Sequence, residues 1–400
     1  MFKWFAVFLF LFSLISCGSQ NKEPRKEEPI AQDGTIRIYS DSIGWSGKLP
    51  CQIHYNGKKY KAAVKYRGGI SSMYPKHSMT VEFEDQVKLG DLPMNDDYIF
   101  NANYIDKTFQ RHKLSYDIFR LMDAKNKAPR CDYLPIYLND NYLGLYVIME
   151  KVNGSWLGFD NANPKGARLF KDPFVFIEER LPNVQEPNNY YQQKFPKQSI
   201  ADFNDEPEEF KKAIFNTDDE TFELTCFTNI QVDNLLDWHL LLLLTNNDDG
   251  LFKNFYLYKE ERGGQFKFIP WDYDHSFGRD GNYEFNLIDR PVDCLKVPLL
   301  KRLIEMPSTK YAERLTQRYL ELRKTLFTEK ALLELIDKNE KEVRPFVDAN
   351  RNKWPMDGMG YLDANDFDQE MAIIKQYIPM RLKQLDAYFY NLEYGEEEKD

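Results

Sequence analysis

The amino-acid sequence predicts an α+β protein with two lobes, the first rich in β-strands and the second mainly helical. Residues 35 to about 100 alternate apolar and polar side chains between turns that contain glycine, as antiparallel strands do. After an irregular stretch at residues 153–205, apolar residues recur mostly at helical spacing. The chain has 400 residues, 42% of them hydrophobic, so it is long enough to bury a large core. Strands followed by helices in this order are typical of α+β folds.

Strand patterns account for most of residues 35–100. Four segments carry the alternation: TIRIYS, CQIHY, KYKAAVKYRG and SMTVEF. Asn56 and Gly57 separate the second segment from the third, and this pair favours a tight hairpin turn. Residues 131–152 predict another hairpin, which turns at Asn139 to Asn141. We therefore expect antiparallel strands in this part of the chain.

One helix is predicted between these strands, at residues 106–122. Its apolar residues fall on one stripe: Phe109, Leu114, Ile118, Leu121 and Met122. Asp106 is a suitable N-cap, because its carboxylate can accept hydrogen bonds from the first backbone N–H groups of a helix. Residues 35–152 are thus expected to form a β-rich lobe with one helix.

The second predicted lobe, residues 153–400, is mainly helical. It begins with an Asn- and Pro-rich stretch, residues 153–205, which predicts a long irregular insertion. Helical patterns follow as far as residue 245, and then FYLYK and FKFIP flank Gly263–Gly264 as a hairpin. From about residue 297 the apolar spacing is helical again.

A short apolar leader opens the sequence. Lys3 precedes an apolar run that is too short for a membrane span and is typical of a signal peptide. Small residues before Cys17 resemble a bacterial lipobox, so residues 1–17 are predicted to be a lipoprotein signal peptide with lipidation at Cys17. An ordinary secretory signal with an incidental cysteine is the alternative. Residues 18–34 are rich in charge and proline and predict a disordered tether, so we expect a cell-envelope protein anchored to a membrane, on the periplasmic or the surface face.

Composition and motif content exclude several classes. Asp and Glu (63) outnumber Lys and Arg (53), so a phosphate polymer would be repelled and nucleic acid is not an expected partner. The sequence lacks H-E-x-x-H and G-x-S-x-G, which argues against zinc proteases and serine hydrolases. The remaining cysteines form no C-x-x-C pair, which argues against a zinc site and leaves both disulfides and buried thiols open. These cysteines are Cys51, Cys131, Cys226 and Cys294.

The residues that indicate a chemical function follow one of the most apolar runs of the chain. DWHLLLLLT leads directly into NNDDGLFKN, residues 246–254, and a hairpin then separates Asn254 from Asp272. Phosphoryl transfer requires a carboxylate that orients the acceptor hydroxyl, and oxygen ligands that hold a divalent cation against the phosphates. Asp249, Asn254 and Asp272 supply these groups in the order D-x-x-x-x-N, hairpin, metal-binding Asp. The sequence therefore predicts Asp249 as the catalytic residue and Asn254 and Asp272 as metal ligands.

Neighbouring carboxylates leave alternatives open. Asp248 could take the place of Asp249 as the base, because an alignment across a loop can slip by one residue. Asp274 is a candidate additional metal ligand. Acidic loop residues also occur simply as turn or capping residues. A glycosidase that uses Asp249 and Asp272 as its carboxylate pair is a further alternative.

Five blocks of the sequence resemble the CotH family of atypical protein kinases: RGGISSMYPKHS, NANYIDKTFQRHKLSYDIF, YLGLYVIMEKV, TNNDDGLFKNFYLY and IPWDYDHSFG. The resemblance extends from about residue 35 to residue 390 and is most specific in WDYDHSFG. It implies a two-lobed atypical protein-kinase-like fold, ATP with Mg²⁺ or Mn²⁺, and transfer of phosphate to Ser or Thr of an exported or surface protein. Asp249 matches the family's catalytic acid, Asp272 its metal-binding Asp and Asn254 its second metal ligand.

Further residues are predicted to bind the nucleotide. The small residues of RGGISS suggest a turn whose backbone N–H groups approach phosphates, with two nearby cations beside it. YVIMEKVNG resembles a kinase hinge strand, whose backbone would pair with adenine at residues 150–152. A plain turn, solvated cations and an edge hairpin are the alternative interpretations. The predicted nucleotide-binding residues are Arg67, Ser71, Ser72, Lys76, Arg111, Glu150 and Lys151.

A non-catalytic surface module is the competing functional interpretation. An exported protein meets little ATP, so a kinase-like scaffold that binds a coat, envelope or host component would need no turnover. The presence of the whole motif set favours catalysis. A phosphotransfer assay distinguishes the two.

Overall fold

The computed structural model describes residues 34–164, 166–181, 187–279, 291–355 and 365–395. The predicted signal peptide, nearly all of the predicted tether and Cys17 lie outside these ranges. The strands are β1 (Ile36–Tyr39), β2 (Leu49–Tyr55), β3 (Lys58–Arg67), β4 (Ser78–Val87), β5 (Asn95–Asn101), β6 (Cys131–Leu138), β7 (Asn141–Glu150), β8 (Arg168–Lys171), β9 (Gln193–Phe195), β10 (Phe255–Lys259) and β11 (Lys267–Pro270). The α-helices are α1 (Arg111–Met122), α2 (Asp205–Asn216), α3 (Asp219–Asn229), α4 (Val232–Thr245), α5 (Pro298–Glu305), α6 (Tyr311–Arg323), α7 (Glu329–Val343), α8 (Val347–Lys353) and α9 (Phe367–Tyr394).

The N-terminal strands form a closed barrel in the order β1-β2-β3-β4-β5-β7-β6. Sequential neighbours pair antiparallel, and the hairpins at Asn56–Gly57 and Asn139–Asp140 confirm the predicted turns. Closure comes from a parallel pairing of β1 with β6, in which Ile36 lies beside Ile136. A parallel pair between distant segments leaves no turn signature in the sequence, so the barrel was not predicted. Apolar side chains fill its interior, among them Ile38, Ile53, Val64, Val81, Phe100, Ile136 and Ile148.

Strands β6 and β7 separate the barrel interior from a second, larger core. Tyr146 and Ile148 point into the barrel, whereas Leu145, Val147 and Met149 pack in the larger core. Both faces of β7 are therefore buried, which explains why its sequence is nearly continuously apolar instead of alternating. The predicted division into a β-rich first part and a helical second part agrees with this mixed α+β arrangement.

A four-stranded sheet in the order β11-β10-β8-β9 lies outside the barrel. β10 and β11 form the predicted hairpin around Gly263–Gly264. β8 and β9 come from residues 153–205, where the sequence analysis expected an irregular insertion, so that expectation was wrong for these segments. Strands of four and three residues are too short to show a recognisable alternation.

Helix α1 begins five residues later than predicted. Phe109 has a φ of +61°, which is incompatible with an α-helix, and the first helical residue is Arg111. The prediction of Asp106 as the N-cap was therefore wrong, because Gln110 takes that position. The Asp106 carboxylate still accepts hydrogen bonds from the backbone N–H of Thr108 (3.0 Å), before the helix, and of Arg111 (2.9 Å), its first residue. Leu121, predicted on the buried stripe, is largely exposed.

Helix α4 is buried along almost its whole length, and α9 fixes its C-terminal end. Tyr377 Oη donates to the carbonyl of Leu244 at 2.7 Å, and Arg381 Nε donates to that of Leu243 at 2.7 Å. These carbonyls belong to the last turn of α4, where no helical N–H is available to them. The segment that follows α4 therefore starts from a firmly held point.

No helix in the described ranges combines the length and the apolarity that a membrane crossing requires. The four cysteines in those ranges are unpaired thiols, and three of them are buried.

Candidate functional site

A cleft of about 600 Å³ lies where one end of the barrel meets the segments that follow α4 and β11. The barrel side consists of the turn after β3 and the segment after β5. The opposite side carries most of the charged residues. The residues that line the cleft include Arg67, Gly68, Ile70, Ser71, Lys76, Asn101, Tyr104, His112, Lys171, Asp248, Asp249, Lys253, Trp271, Asp272, Asp274 and His275.

The apolar helix α4 opens onto polar residues because it ends at this cleft. Asn246, its C-cap, has the left-handed φ of +55° that terminates many helices. Its side-chain oxygen accepts a hydrogen bond from the backbone N–H of Val292, which fixes the exit of the chain. Asp248 and Asp249 then reach the cleft, and Asp248 is the more exposed of the two.

Asn254 connects the two acidic segments of the site. Its side-chain amide donates to Asp249 Oδ2 at 2.7 Å and lies 3.4 Å from the backbone carbonyl of Asp272. Asn254 has a φ of +62°, and its own N–H donates to the carboxylate of Asp172 at 2.7 Å. The predicted set of Asp249, Asn254 and Asp272 is therefore brought together in one region.

Lys253 forms an ion pair with Asp249, with 2.8 Å between Nζ and Oδ1. Burial lowers the pKa of Lys253, but the hydrogen bond to Asp249 and the charges of Asp249, Asp272 and Asp172 outweigh it and raise the pKa overall. Lys253 therefore stays protonated at neutral pH. The site holds a fixed positive charge beside its central carboxylate.

Asp272 and Asp274 form a closely spaced carboxylate pair. Together with His112 they place one potential ligand atom each within 4.8 Å of one another. Burial raises the pKa of Asp274, and the negative charge of Asp272 raises it further. Two repelling carboxylates with hard oxygen donors are the environment that Mg²⁺ or Mn²⁺ would stabilise. The donor set thus fits a divalent cation.

The predicted phosphate-binding residues are only partly at the cleft. Arg67 and Ser71 line it, whereas Ser72 does not, and its hydroxyl donates to the carbonyl of Gly69 at 2.7 Å. Lys76 lines the cleft but is almost completely buried. Its ammonium group donates to the backbone carbonyls of Ala102 (2.8 Å) and Leu145 and lies 3.1 Å from Asn350 Oδ1.

Three predicted nucleotide-binding residues lie away from the cleft lining. Arg111 is fully buried and pairs with Asp106 (2.5 Å) and with Glu370 (3.3 Å). Glu150 and Lys151, at the end of β7, make structural contacts. The Glu150 carboxylate accepts from the N–H of Arg130, and Lys151 pairs with Asp97. The structure does not bring these three predicted residues to the site.

Several cleft residues were missed by sequence reasoning. Among them is Lys171, which approaches the indole of Trp271 at 6.0 Å from its ring centre, beside the predicted Arg67 at 5.9 Å. Lys253 stands within the D-x-x-x-x-N segment and could have been identified there. His112 lies inside one of the blocks that carry the family resemblance, whereas Lys171 had no sequence signal because its strand was not predicted.

Comparisons with known sequences agree with the resemblance. The family model described as CotH kinase protein matches residues 64–385. The inner spore coat protein H of Bacillus subtilis (strain 168) is 26% identical over 369 residues, which cover 88% of this chain and 93% of that protein. The crystal structure of the Helicobacter pylori proinflammatory kinase CtkA is 11% identical and covers 86% of this chain and 99% of that one, with a TM-score of 0.29. That score is too low to assign a shared fold.

Proposed function

This chain belongs to the CotH kinase protein family, and from that premise we propose that it transfers the γ-phosphoryl group of ATP to a hydroxyl acceptor. One observation supports this most directly. Asn254 joins Asp249 to the backbone of Asp272 across one cleft, so that the base candidate and the metal-ligand candidate face the same space. Phosphoryl transfer requires this proximity, because the hydroxyl oriented by the base must reach the phosphate held by the metal ion.

Asp249 orients the acceptor hydroxyl and takes its proton. The hydroxyl oxygen forms a bond to the γ-phosphorus while the bond from that phosphorus to the bridging oxygen breaks, and ADP leaves with the electron pair. Lys253 pairs with Oδ1 of Asp249 and the Asn254 amide donates to Oδ2, so the orientation of the carboxylate is fixed from both sides. The charge of Lys253 also opposes the negative charge of the transferring group.

Asp272 and Asp274 would hold the divalent cation. When bound there, Mg²⁺ or Mn²⁺ supplies positive charge that neutralises the phosphate oxygens. Asn254 could add its side-chain oxygen, since its amide nitrogen is the atom that contacts Asp249. This assignment of metal ligands depends only on the positions of these side chains.

Arg67 and Lys171 are the cations best placed for the remaining phosphates. Both line the cleft and flank Trp271. Lys171 is paired with Asp172 at 3.3 Å, whereas the described part of the chain gives Arg67 no ion-pair partner. An arginine without a carboxylate partner in a polar cleft suits a phosphate ligand. Ser71 lies on the same side of the cleft.

The acceptor and the location follow from the sequence resemblance. The proposal is that the acceptor is Ser or Thr of an exported or surface protein, that the fold has the two lobes of an atypical kinase, and that Cys17 carries a lipid anchor. The leader that supports the last point is part of the sequence only. Mass spectrometry of the mature N-terminus tests it.

The activity is tested by incubating the purified full-length chain with γ-labelled ATP and either Mg²⁺ or Mn²⁺. Label should appear on the chain itself or on a generic Ser/Thr acceptor, and a chelator should abolish it. Replacing Asp272→Asn should have the same effect as the chelator while the circular dichroism spectrum is unchanged. No label under any metal condition would overturn the proposal.

A second candidate is a binding or assembly protein without turnover. The relative named as an inner spore coat protein favours it, because a coat component can act by association alone. In that case the cleft would bind nucleotide or a partner without transferring label. The same assay separates the candidates.

A further inference from the structure

Helix α1 holds the segment that contains Asp272 by three hydrogen bonds. The backbone N–H of Asp272 donates to Tyr116 Oη at 2.9 Å, and the next N–H, that of Tyr273, donates to His112 Nδ1 at 2.9 Å. Arg111 Nε donates to the carbonyl of Ser276 at 3.0 Å. His112 and Tyr116 lie one helical turn apart, so one face of α1 reaches consecutive N–H groups.

These bonds hold a backbone conformation that aspartate rarely adopts. Asp272 has a φ of +57°, in the left-handed region that favours glycine. A residue other than glycine stays in that region only where its surroundings fix it. On the other side of Asp272, the N–H of Trp271 donates to the carbonyl of Asn254 at 2.9 Å. The turn is thus held from α1 and from the end of the 246–254 segment.

His112 lies close to the metal-ligand candidates, but its hydrogen bond argues against ligation. Nδ1 accepts from the N–H of Tyr273, so it must present its lone pair there. In a neutral imidazole the proton then resides on Nε2, the nitrogen that lies 3.8 Å from Asp272 Oδ1. A protonated ring nitrogen cannot donate electrons to a cation. The ligand atoms of this cluster are therefore the carboxylate oxygens.

We propose that His112 and Tyr116 are positioning residues that fix the backbone at Asp272, so that its carboxylate faces the cleft and binds the divalent cation. Both side chains are buried, whereas the side chain of Asp272 is half exposed, at 52%. Helix α1 is therefore the buried support, and the Asp272 carboxylate is the group that is exposed to the cleft. This inference rests on the proposed function for its metal, and it adds which residues make the metal site.

The N-terminal end of α1 is fixed in turn by buried ion pairs. Arg111 pairs with Asp106 before the helix and with Glu370 on α9, and Glu370 also pairs with Arg279 at 3.0 Å. The residue adjacent to His112 is thereby tied to α9. These ion pairs anchor the start of the helix whose His112 and Tyr116 hold the Asp272 turn.

The test measures binding of Mn²⁺ alone to the full chain, without nucleotide, by the electron paramagnetic resonance signal of unbound Mn²⁺. Tyr116→Phe removes the acceptor and keeps the ring. It should weaken Mn²⁺ binding about tenfold, at the lower end of the effect of groups that orient metal ligands. Tyr133→Phe is the matched control, because in the described residues the buried Tyr133 hydroxyl has no hydrogen-bond partner. It should leave the Mn²⁺ affinity unchanged.

Two replacements of His112 separate positioning from ligation. His112→Asn keeps an oxygen acceptor close to the Nδ1 position and should bind Mn²⁺ within about threefold of the unmodified chain, whereas His112→Leu should resemble Tyr116→Phe. If His112 were a ligand through Nε2, both variants would lose affinity equally. That result, or unchanged affinity in Tyr116→Phe and His112→Leu, would overturn the inference.

An Asp272→Asn arm distinguishes this inference from the proposed function. If Asp272→Asn loses Mn²⁺ binding while the α1 variants bind normally, only the positioning inference fails. If Asp272→Asn binds Mn²⁺ as well as the unmodified chain, the metal assignment of the proposed function fails as well. Urea denaturation of each variant shows whether a change in affinity accompanies a change in stability.

Discussion

The side-chain amide of Asn254 donates a 2.7 Å hydrogen bond to the carboxylate of Asp249. The two residues stand at opposite ends of a short loop, so this bond closes the loop at the point where the chain enters β10. Because the same amide also approaches the backbone carbonyl of Asp272 at 3.4 Å, it connects the loop to the turn after β11. The catalytic and metal-ligand candidates thus belong to one connected unit.

Replacing Lys253→Met should reduce phosphotransfer and leave stability almost unchanged. Lys253 is half exposed, and an ion pair of this kind contributes about 0–1 kcal/mol to the free energy of unfolding. The positive charge of Lys253 next to Asp249 should stabilise the transition state of phosphoryl transfer more than it stabilises the fold. We expect kcat to fall at least tenfold. This loss should be smaller than the roughly hundredfold loss that follows removal of a fully enclosed hydrogen-bond donor.

Lys296→Met is the control for this variant. Lys296 lies 3.9 Å from the exposed carboxylate of Asp248, so the replacement removes a similar charge beside the other acid of the pair. Its kcat should remain within twofold of the unmodified chain, roughly the scatter expected for an exposed charge. Equal losses in the two variants would show that general charge, and not the contact with Asp249, is responsible.

Replacing Arg111→Met should lower the free energy of unfolding by about 3 kcal/mol, because it leaves Asp106 and Glu370 without a buried partner. Arg279 still pairs with Glu370, which keeps the loss at the lower end of the usual range. Urea denaturation measures it. Arg344→Met breaks pairs with Glu340 and Asp368 in which the arginine itself is half exposed, and it should cost no more than about 1 kcal/mol.

The affinity of folded Arg111→Met for ATP without a divalent cation should stay unchanged, since Arg111 does not line the cleft and contacts the site only through the backbone of Ser276. A tenfold weaker affinity without a loss of stability would restore Arg111 to the nucleotide site that the sequence analysis predicted.

His239 should make the protein less stable as the pH falls below about 6.5. Burial lowers the pKa of His239 to about 3. Between these values the unfolded chain binds a proton that the folded chain does not, so unfolding becomes easier by about 1.4 kcal/mol per pH unit from this residue alone. Denaturation of His239→Leu at pH 7, 6, 5 and 4 should show a slope smaller by that amount. Identical slopes in both proteins would contradict the buried, neutral state of His239.

The motif residues could be predicted because local chemistry determines them. The carboxylates and the amide lie in the short loop before β10 and directly after β11. The β10–β11 hairpin and the β6–β7 hairpin both turn at residues with recognisable backbone preferences. Asp249, Asn254 and Asp272 therefore came together in the structure as the spacing predicted. Their catalytic and metal-binding roles stay predictions.

Contacts between residues far apart in the sequence could not be predicted. Lys76 and Arg111 have the charge that a phosphate site needs, but whether a cation faces solvent or buried oxygen atoms depends on distant segments. Asn350 and Glu370, which contact them, are more than two hundred residues away in sequence. The barrel closure by β1 and β6 and the contact of His112 with Tyr273 have the same cause.

The central claim is that Asp249 is the base of a phosphotransferase. The most direct measurement compares transfer of label from γ-labelled ATP by the unmodified chain, Asp249→Asn and Asp248→Asn, with the acceptor at saturation. Asp249→Asn should lower kcat by about 100-fold to 10,000-fold, the usual contribution of a general base, and Asp248→Asn should stay within about threefold. Full turnover by Asp249→Asn, or no transfer by the unmodified chain, would contradict the account.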